Sequence, residues 1–401
     1  MAFNYRRTEY VALAVGAASG SLVFGALPLT VGAATTVFGG AGAGGTAAAA
    51  ELLAMGLASM IVSAKLAALP GRVTAMIGGL LLLLGQLLSW FAIVHANWPL
   101  FLAARLIAGA GEGGLYTVSN AFAAKAPRPD RAFTMIAFGQ TIFNALFFTG
   151  MAILNAAYDP VRVLVFFSVF AGVACLTLIG APNYLISADQ GLDFDVEKKA
   201  FTPLVRRVLI GFGVYSVALF LLFPYAESVG LANGLSHAQI AAVFGFSALF
   251  ALLGPAITAS LGVRFGRLAP ILVAIAFQIA AIVAVVYSRH IIIWGGGELT
   301  SIMMLYLLTP LMFSLISELE PSGRAAAVAT AVMAITAAIG PAIGGAIMSA
   351  TGSYAALGWV NVLAYVLMAA LVWKPLLVAG RNLKAKITPL ADSVQHAPAG
   401  E

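Results

Sequence analysis

Residues 105–116 read RLIAGAGEGGLY and place an arginine and a glutamate inside a run of apolar and small residues from Pro99 to Phe122. The run can cross a bilayer as a helix, because about 20 helical residues span a hydrocarbon core of about 30 Å. A charged side chain at the centre of such a helix costs roughly 2.5 to 3.5 kcal/mol on insertion scales. Arg105 and Glu112 are therefore expected to face a partner or a watery cavity rather than lipid.

The whole chain has the composition of a membrane protein. Of its 401 residues 62% are hydrophobic and 9% are charged, and the mean hydropathy is +1.01, whereas a soluble domain has about 25% charged residues. The apolar stretches are long and lack the alternation of barrel strands, which predicts an all-α membrane protein. Twelve spans are predicted, over residues 10–34, 45–66, 73–94, 98–122, 132–154, 160–182, 207–226, 237–262, 268–287, 291–316, 325–349 and 355–373.

The basic residues predict the orientation of these spans. If both termini are cytoplasmic, 18 of the 21 lysines and arginines fall in inside segments. Arg162 and Arg289 fall in outside loops, and Arg105 lies within a span. This bias follows the positive-inside rule and supports an even number of spans in the cell (inner) membrane. The net charge of +6 is then explained by the anionic inner leaflet, and no nucleic-acid partner is expected.

One long polar interruption, between Pro182 and Arg207, divides the spans six and six. The predicted organisation is a six-helix bundle over 1–182, a cytoplasmic linker over 183–206, a second six-helix bundle over 207–374 and a cytoplasmic tail over 375–401, which reads as disordered. The halves resemble each other, because a Gly-Arg pair ending at Arg72 recurs with Arg267 at the corresponding place. Repeats of six spans are a known way of building transporters, with the substrate path between them.

Together these features resemble the major facilitator superfamily of secondary transporters, over about residues 8–375. The most specific element is the fourth-span motif of Arg, three residues, Gly, any residue, Gly, which Arg105, Gly109 and Gly111 match. Glu112 follows, as it does in several branches of the family. The resemblance implies two pseudo-symmetric six-helix bundles and alternating access.

Two departures from the family pattern bear on mechanism. The loop SAKLAALPGR (63–72) has Lys65 and none of the acid that the family usually places before its Gly-Arg, which argues against the usual cytoplasmic charge latch. Antiporter-type exporters often carry Gly-Pro late in the fifth span, where this chain reads ALFFTGMAIL (145–154). Its Gly-Pro stands in the eleventh span, AAIGPAIGGAI (337–347), where helix packing is the expected role.

The charged residues within the spans are the predicted proton-coupling group. Arg105 and Glu112 share a face of one helix but are about 10 Å apart along its axis, so each is expected to have another partner. Glu51 and Glu298 are the candidates, and Glu298 is expected to face Arg105 across the pseudo-twofold axis, although both acids could instead snorkel to the outer interface. Glu112 either exchanges a proton with the cavity or makes a structural hydrogen bond. Arg105 either grips an anionic solute, tunes Glu112 or locks helices together.

Uncharged polar side chains in the spans are predicted to complete the substrate cavity, although each could instead make a hydrogen bond between helices. They are Ser19, Ser21, Tyr116, Gln140, Asn144, Tyr215 and Gln278. With much Phe, Leu and Ala around them, such a cavity suits an amphipathic solute better than a sugar.

Catalytic chemistry is not expected. The four histidines show no metal-binding spacing, the single cysteine excludes a disulfide within the chain, and no phosphate-binding glycine loop with Lys and Ser or Thr is present. No cofactor and no metal are therefore predicted. The expected partners of this monomer are a small organic solute, protons and the bilayer.

The sequence thus predicts a secondary active, proton-coupled transporter of a small amphipathic organic solute, with export favoured. Two alternatives stay open. One is proton-coupled import of an organic anion gripped by Arg105. The other is a membrane assembly factor with the same fold that transports nothing.

Overall fold

The computed structural model describes residues 7–65, 70–124, 129–153, 159–183, 201–261, 267–320 and 324–395. Residues 184–200 of the predicted linker and 396–401 of the predicted tail lie outside the described residues. All the regular structure in the described ranges is helical.

The N-terminal half contains α1 (Arg7–Phe38), α2 (Ala41–Lys65), α3 (Gly71–Val94), α4 (Trp98–Ala124), α5 (Pro129–Ile153) and α6 (Pro160–Thr177). The C-terminal half contains α7 (Pro203–Leu222), α8 (Ala226–Ala232), α9 (His237–Leu261), α10 (Leu268–Tyr287), α11 (Ile291–Leu319), α12 (Arg324–Thr351) and α13 (Tyr354–Gln395). A 3-10 turn, Phe223–Tyr225, joins α7 to α8, and together they form the seventh predicted span.

Within the described ranges, eight helical segments are long and apolar enough to cross a membrane, and α1 makes a ninth as a bent pair. The bend of 48° falls between Phe24 and Ala26. Pro28 explains it, because a proline cannot donate to the carbonyl four residues earlier and its ring clashes with that carbonyl, here that of Phe24. Pro224 interrupts the seventh span in the same way.

The two halves repeat the same packing. In the first half α4 packs on α2 and α3, and α1 packs on α5 and α6. In the second half α11 packs on α9 and α10, and α7 packs on α12 and α13. These are corresponding pairs when α7 and α8 count as one span, so the arrangement agrees with the duplication that the Gly-Arg pairs predict.

The tail differs from the prediction of disorder. α13 continues beyond Lys374 and ends at Gln395. Extending an existing helix avoids the unfavourable nucleation step, and residues such as Leu, Ala and Lys after position 374 are good helix formers. Polar composition alone was therefore a poor guide here.

Close contacts between the halves occur at the end of the bundle that holds Phe38 and Ala41, here called the distal end. The α2–α12 pair meets there, with a Cβ built on Gly42 lying 2.5 Å from Ser349 Oγ. The Tyr225 hydroxyl donates to the carbonyls of Pro341 in its own half, at 3.0 Å, and of Ala41 in the other half, at 3.4 Å. These contacts close the distal end.

Glycines let α4 approach its neighbours. A Cβ on Gly109 would overlap the backbone carbonyl of Glu51 on α2, and a Cβ on Gly111 would overlap the backbone of Leu82 on α3. The GAGEGG stretch is thus a packing surface on two sides, as expected for small residues between membrane helices.

Gly109→Ala is expected to lower the thermal unfolding midpoint in detergent, because the added methyl group must push α2 away, at a cost of about 1 to 3 kcal/mol. Gly296→Ala is the matched control, since a Cβ at that exposed helical position meets no atom within 4 Å. Equal midpoints for the two variants would contradict close α2–α4 packing.

Candidate proton-coupling and substrate sites

A buried ion pair joins α4 to α2. The Arg105 guanidinium donates through Nε to Glu51 Oε2 at 3.1 Å and through Nη2 to Glu51 Oε1. Its Nη1 donates to Gln86 Oε1 at 3.0 Å and to Ser89 Oγ at 3.2 Å, both on α3. The residue is 1% exposed. Glu51, a candidate from the sequence, is therefore the partner of Arg105.

Glu112 completes this cluster. Its carboxyl lies close enough to interact electrostatically with both Glu51 and Arg105. Its Oε2 has no hydrogen-bond partner among the described residues, and the residue is 2% exposed. Two neighbouring carboxylates beside one guanidinium leave a negative charge without a counter-charge in a buried place, and one proton would neutralise it. Glu112 is therefore the candidate carrier of an exchangeable proton.

The expected contact between Arg105 and Glu298 is wrong. The two residues do lie at corresponding positions near the starts of α4 and α11, but Arg105 is bonded within its own half and Glu298 lines a cavity in the other. The position of a residue along a membrane-spanning helix determines how deep it lies in the membrane. It does not determine which neighbouring helix the side chain faces. At 1% and 3% exposed, Glu51 and Glu298 also do not snorkel to the interface.

Glu298 belongs to a cavity formed mainly by α7, α10, α11 and α13, with Phe24 of α1 reaching in from the other half. Gln278, Ser301 and Asn361 are its other polar lining residues. The Gln278 amide donates to Ser301 Oγ at 3.3 Å. This cavity thus brings together two of the predicted site residues, Gln278 and Glu298.

The remaining predicted cavity residues divide into two groups. Ser19 donates to the carbonyl of Val15 in its own helix, and Tyr215 is fully buried with its hydroxyl 2.9 Å from Thr309 Oγ1. Each of these two residues is hydrogen-bonded within its own half. Gln140 on α5 donates to Ser21 on α1 at 3.0 Å.

The last two predicted residues are Asn144 and Tyr116. Asn144 has a buried Oδ1 without a hydrogen-bond partner among the residues that the structure describes. Tyr116 packs edge-on against Phe24, with ring centroids 6.4 Å apart, and interacts with Tyr306 of α11. At Tyr116, α4 therefore approaches residues of the other half.

The sequence analysis does not identify several of the polar residues that the structure places in or near these sites. Gln86 and Ser89 are the polar residues that orient Arg105, and Asn361 lines the C-terminal cavity. Each is a polar residue within an apolar span, and this signal was available. Glu227 was also missed, because it follows the predicted end of the seventh span; it is 5% exposed and bonds His237 at 3.2 Å.

The Gly-Arg loops have different partners in the two halves. Arg72 Nε donates to the carbonyl of Ala181 at 2.9 Å, whereas Arg267 forms an ion pair with Glu318 at 2.7 Å. The described contacts of the first loop therefore involve a backbone carbonyl in place of an acid, in agreement with the missing acid before Arg72.

A buried ion pair, close distal contacts and two repeated bundles are the features expected of secondary transporters that are built from two six-helix halves. A sequence model of the Major Facilitator Superfamily matches residues 10–319. The chain belongs to the major facilitator superfamily, a family of transporters and not of enzymes. No curated protein matches.

Solved structures share the fold. The D-xylose–proton symporter is 16% identical, with a TM-score of 0.70 over 91% of this chain and 97% of that chain. The human organic anion transporter MFSD10 (TETRAN) is 15% identical, with a TM-score of 0.61 over 90% and 98%. The E. coli fucose–proton symporter is 18% identical, with a TM-score of 0.56 over 92% and 97%. These matches imply twelve membrane-spanning helices.

Proposed function

We propose that this protein couples proton movement to the transport of a small, amphipathic organic solute by alternating access. The observation that carries the proposal is the buried cluster of Arg105, Glu51 and Glu112 on α4 and α2. Two of the solved structures with this fold are named proton symporters, and that is consistent with the proposal.

The charges of the cluster explain why a proton would matter. One guanidinium and two carboxylates leave a net negative charge in a buried place, which is costly. A proton on Glu112 makes the cluster neutral. When the halves rock and water reaches one side of α4, the proton can leave and another can enter from the opposite side in the next cycle.

The arginine alternative has less support. An anionic solute gripped by Arg105 would have to displace Glu51, Gln86 and Ser89 from a residue that is 1% exposed. We therefore assign Arg105 to holding Glu51 and Glu112 in place. Export with cytoplasmic termini in the inner membrane stays a prediction, which everted vesicles would test by the side on which solute accumulates.

Glu112→Gln is expected to abolish uphill transport while leaving counterflow exchange, because glutamine mimics the protonated acid but cannot release a proton. The measurement is the collapse of an imposed pH gradient in liposomes as a panel of amphipathic solutes is added, followed by exchange of labelled solute without a gradient.

Asp159→Asn is the matched control for this variant. Asp159 is an exposed acid that caps α6 by accepting from the Val161 amide, and asparagine can keep that cap. The control should couple like the parent. Uphill transport by Glu112→Gln at the parental rate would show that the proton is carried elsewhere.

A further inference from the structure

The cavity of the C-terminal half has an unusual chemical lining. Most of its wall is apolar or aromatic, including Phe24, Phe220 and Phe223. Its polar residues are Gln278, Glu298, Ser301 and Asn361. No basic residue lines it among the residues that the structure describes.

Three oxygens of residues that line this cavity have no hydrogen-bond partner within the part of the chain that the structure describes. They are Glu298 Oε2, Gln278 Oε1 and Asn361 Oδ1, on residues that are 3%, 5% and 2% exposed. A buried polar group without a partner costs about 1 to 3 kcal/mol. All three atoms are acceptors, so a group that binds here must be a hydrogen-bond donor.

The N-terminal half shows what the C-terminal half lacks. Gln86 of α3 bonds Arg105 of α4, and Glu51 supplies the opposite charge. The corresponding helices α10 and α11 carry Gln278 and Glu298, which line one cavity. Among the described residues, Glu298 has no positively charged partner. The cavity therefore resembles the N-terminal cluster without the guanidinium of Arg105.

We propose that this cavity binds the ammonium group of an amphipathic amine, with Glu298 as its counter-ion. This inference rests on the proposed function, because it names the solute class that the transporter would carry. The cavity has a volume of about 30 Å³ in this arrangement, which is room for an ammonium group. That group would donate to Glu298 and to a neighbouring amide oxygen of Gln278 or Asn361, and the apolar part of the solute would lie against the phenylalanines once the halves move apart. Aromatic faces also attract cations.

Other solutes fit these groups less well. A carboxylate solute would be repelled by Glu298, and the unpartnered acceptors could not donate to it. An alcohol could donate only one hydrogen and would leave the acid without a counter-charge. The assignment also replaces the proton-coupling role that the sequence predicts for Glu298 with a substrate-binding role.

The cavity also provides a link to rocking. Phe24 comes from the bend of α1 in the N-terminal half and contacts Phe220 of α7, with ring centroids 5.9 Å apart. A solute bound beside Glu298 would therefore contact both halves. Binding at this place can favour one arrangement of the halves over the other, as differential affinity requires.

The test compares three probes with the same aromatic tail: 2-phenylethylammonium, 2-phenylethanol and 3-phenylpropionate. Binding to the purified full chain is measured by the rise of the unfolding midpoint with probe concentration and by calorimetry. The amine is expected to bind most tightly. Glu298→Gln should weaken amine binding roughly tenfold or more, as for the loss of a charged hydrogen bond.

Two further variants separate the possible failures. Asn361→Leu removes a buried acceptor without a partner, so it should fold well and still weaken amine binding. Asp159→Asn should bind the amine like the parent, because Asp159 is an exposed acid that caps α6 away from this cavity. The amine proposal is overturned if the alcohol or carboxylate binds as tightly, if Glu298→Gln binds the amine unchanged, or if the parent binds none of the probes. Loss of coupling with intact amine binding would concern the proton cluster alone.

Discussion

A disulfide between positions 42 and 349, introduced by Gly42→Cys and Ser349→Cys, is expected to stop all solute movement until it is reduced. Gly42 lies in the first turn of α2 in one half, and Ser349 lies near the end of α12 in the other. A Cβ at position 42 would lie 3.8 Å from the Cβ of Ser349, and native disulfides join Cβ atoms about 3.5 to 4.5 Å apart. The bond should therefore form without moving the backbone.

The reason for the large effect is that alternating access requires the distal contacts to open. A covalent bond across them would hold the distal end closed, so both uphill transport and exchange should fall to the level of protein-free liposomes. A reductant should restore both. The experiment is done in a Cys175→Ser background, because Cys175 is the single native cysteine.

A matched control is available at the same end of the molecule. The single variants Gly42→Cys and Ser349→Cys, each in the Cys175→Ser background, introduce the same thiols without a partner. Oxidising either of them should leave transport intact. Transport that persists in the cross-linked 42–349 protein would mean that the halves do not separate at these residues.

The spans and their pairing into halves could be read from the sequence because they follow from one dominant cost, that of exposing backbone and charge to lipid. The same cost made Glu51 a candidate for Arg105, since so few acids lie within the spans. Hydropathy does not indicate whether a polar tail outside the membrane is helical. The sequence analysis therefore does not predict the continuation of α13 to Gln395.

The candidate site was harder to predict, because the direction that a side chain faces is set by packing. Arg105 and Glu298 have equal depth and were expected to meet, yet close packing at Gly109 turns Arg105 toward α2. Ser19 and Gln278 are both polar residues in apolar spans. One bonds its own helix and the other lines a cavity, and only coordinates distinguish the two.

The burial of Arg105 leads to the second large effect. Arg105→Met is expected to destabilise the protein by about 3 to 5 kcal/mol, because it leaves Glu51 as a buried charge without its partner. Arg105→Met with Glu51→Met should recover most of this loss, since replacing both members of a buried pair by apolar residues is often neutral. The measurement is thermal unfolding in detergent, with monodispersity on size exclusion.

Arg162→Met is the control for the loss of an arginine. Arg162 is 63% exposed and lies 3.6 Å from Asp159, and such surface pairs contribute about 0 to 1 kcal/mol. We expect Arg105→Met to be far less stable than Arg162→Met, and the double variant Arg105→Met with Glu51→Met to be about as stable as Arg162→Met. Any other order would contradict a structural role for the Arg105–Glu51 pair. Solute exchange by the folded double variant would further show that Arg105 does not bind the solute. An anionic solute that depended on the Arg105 guanidinium could not bind to a protein that lacks it.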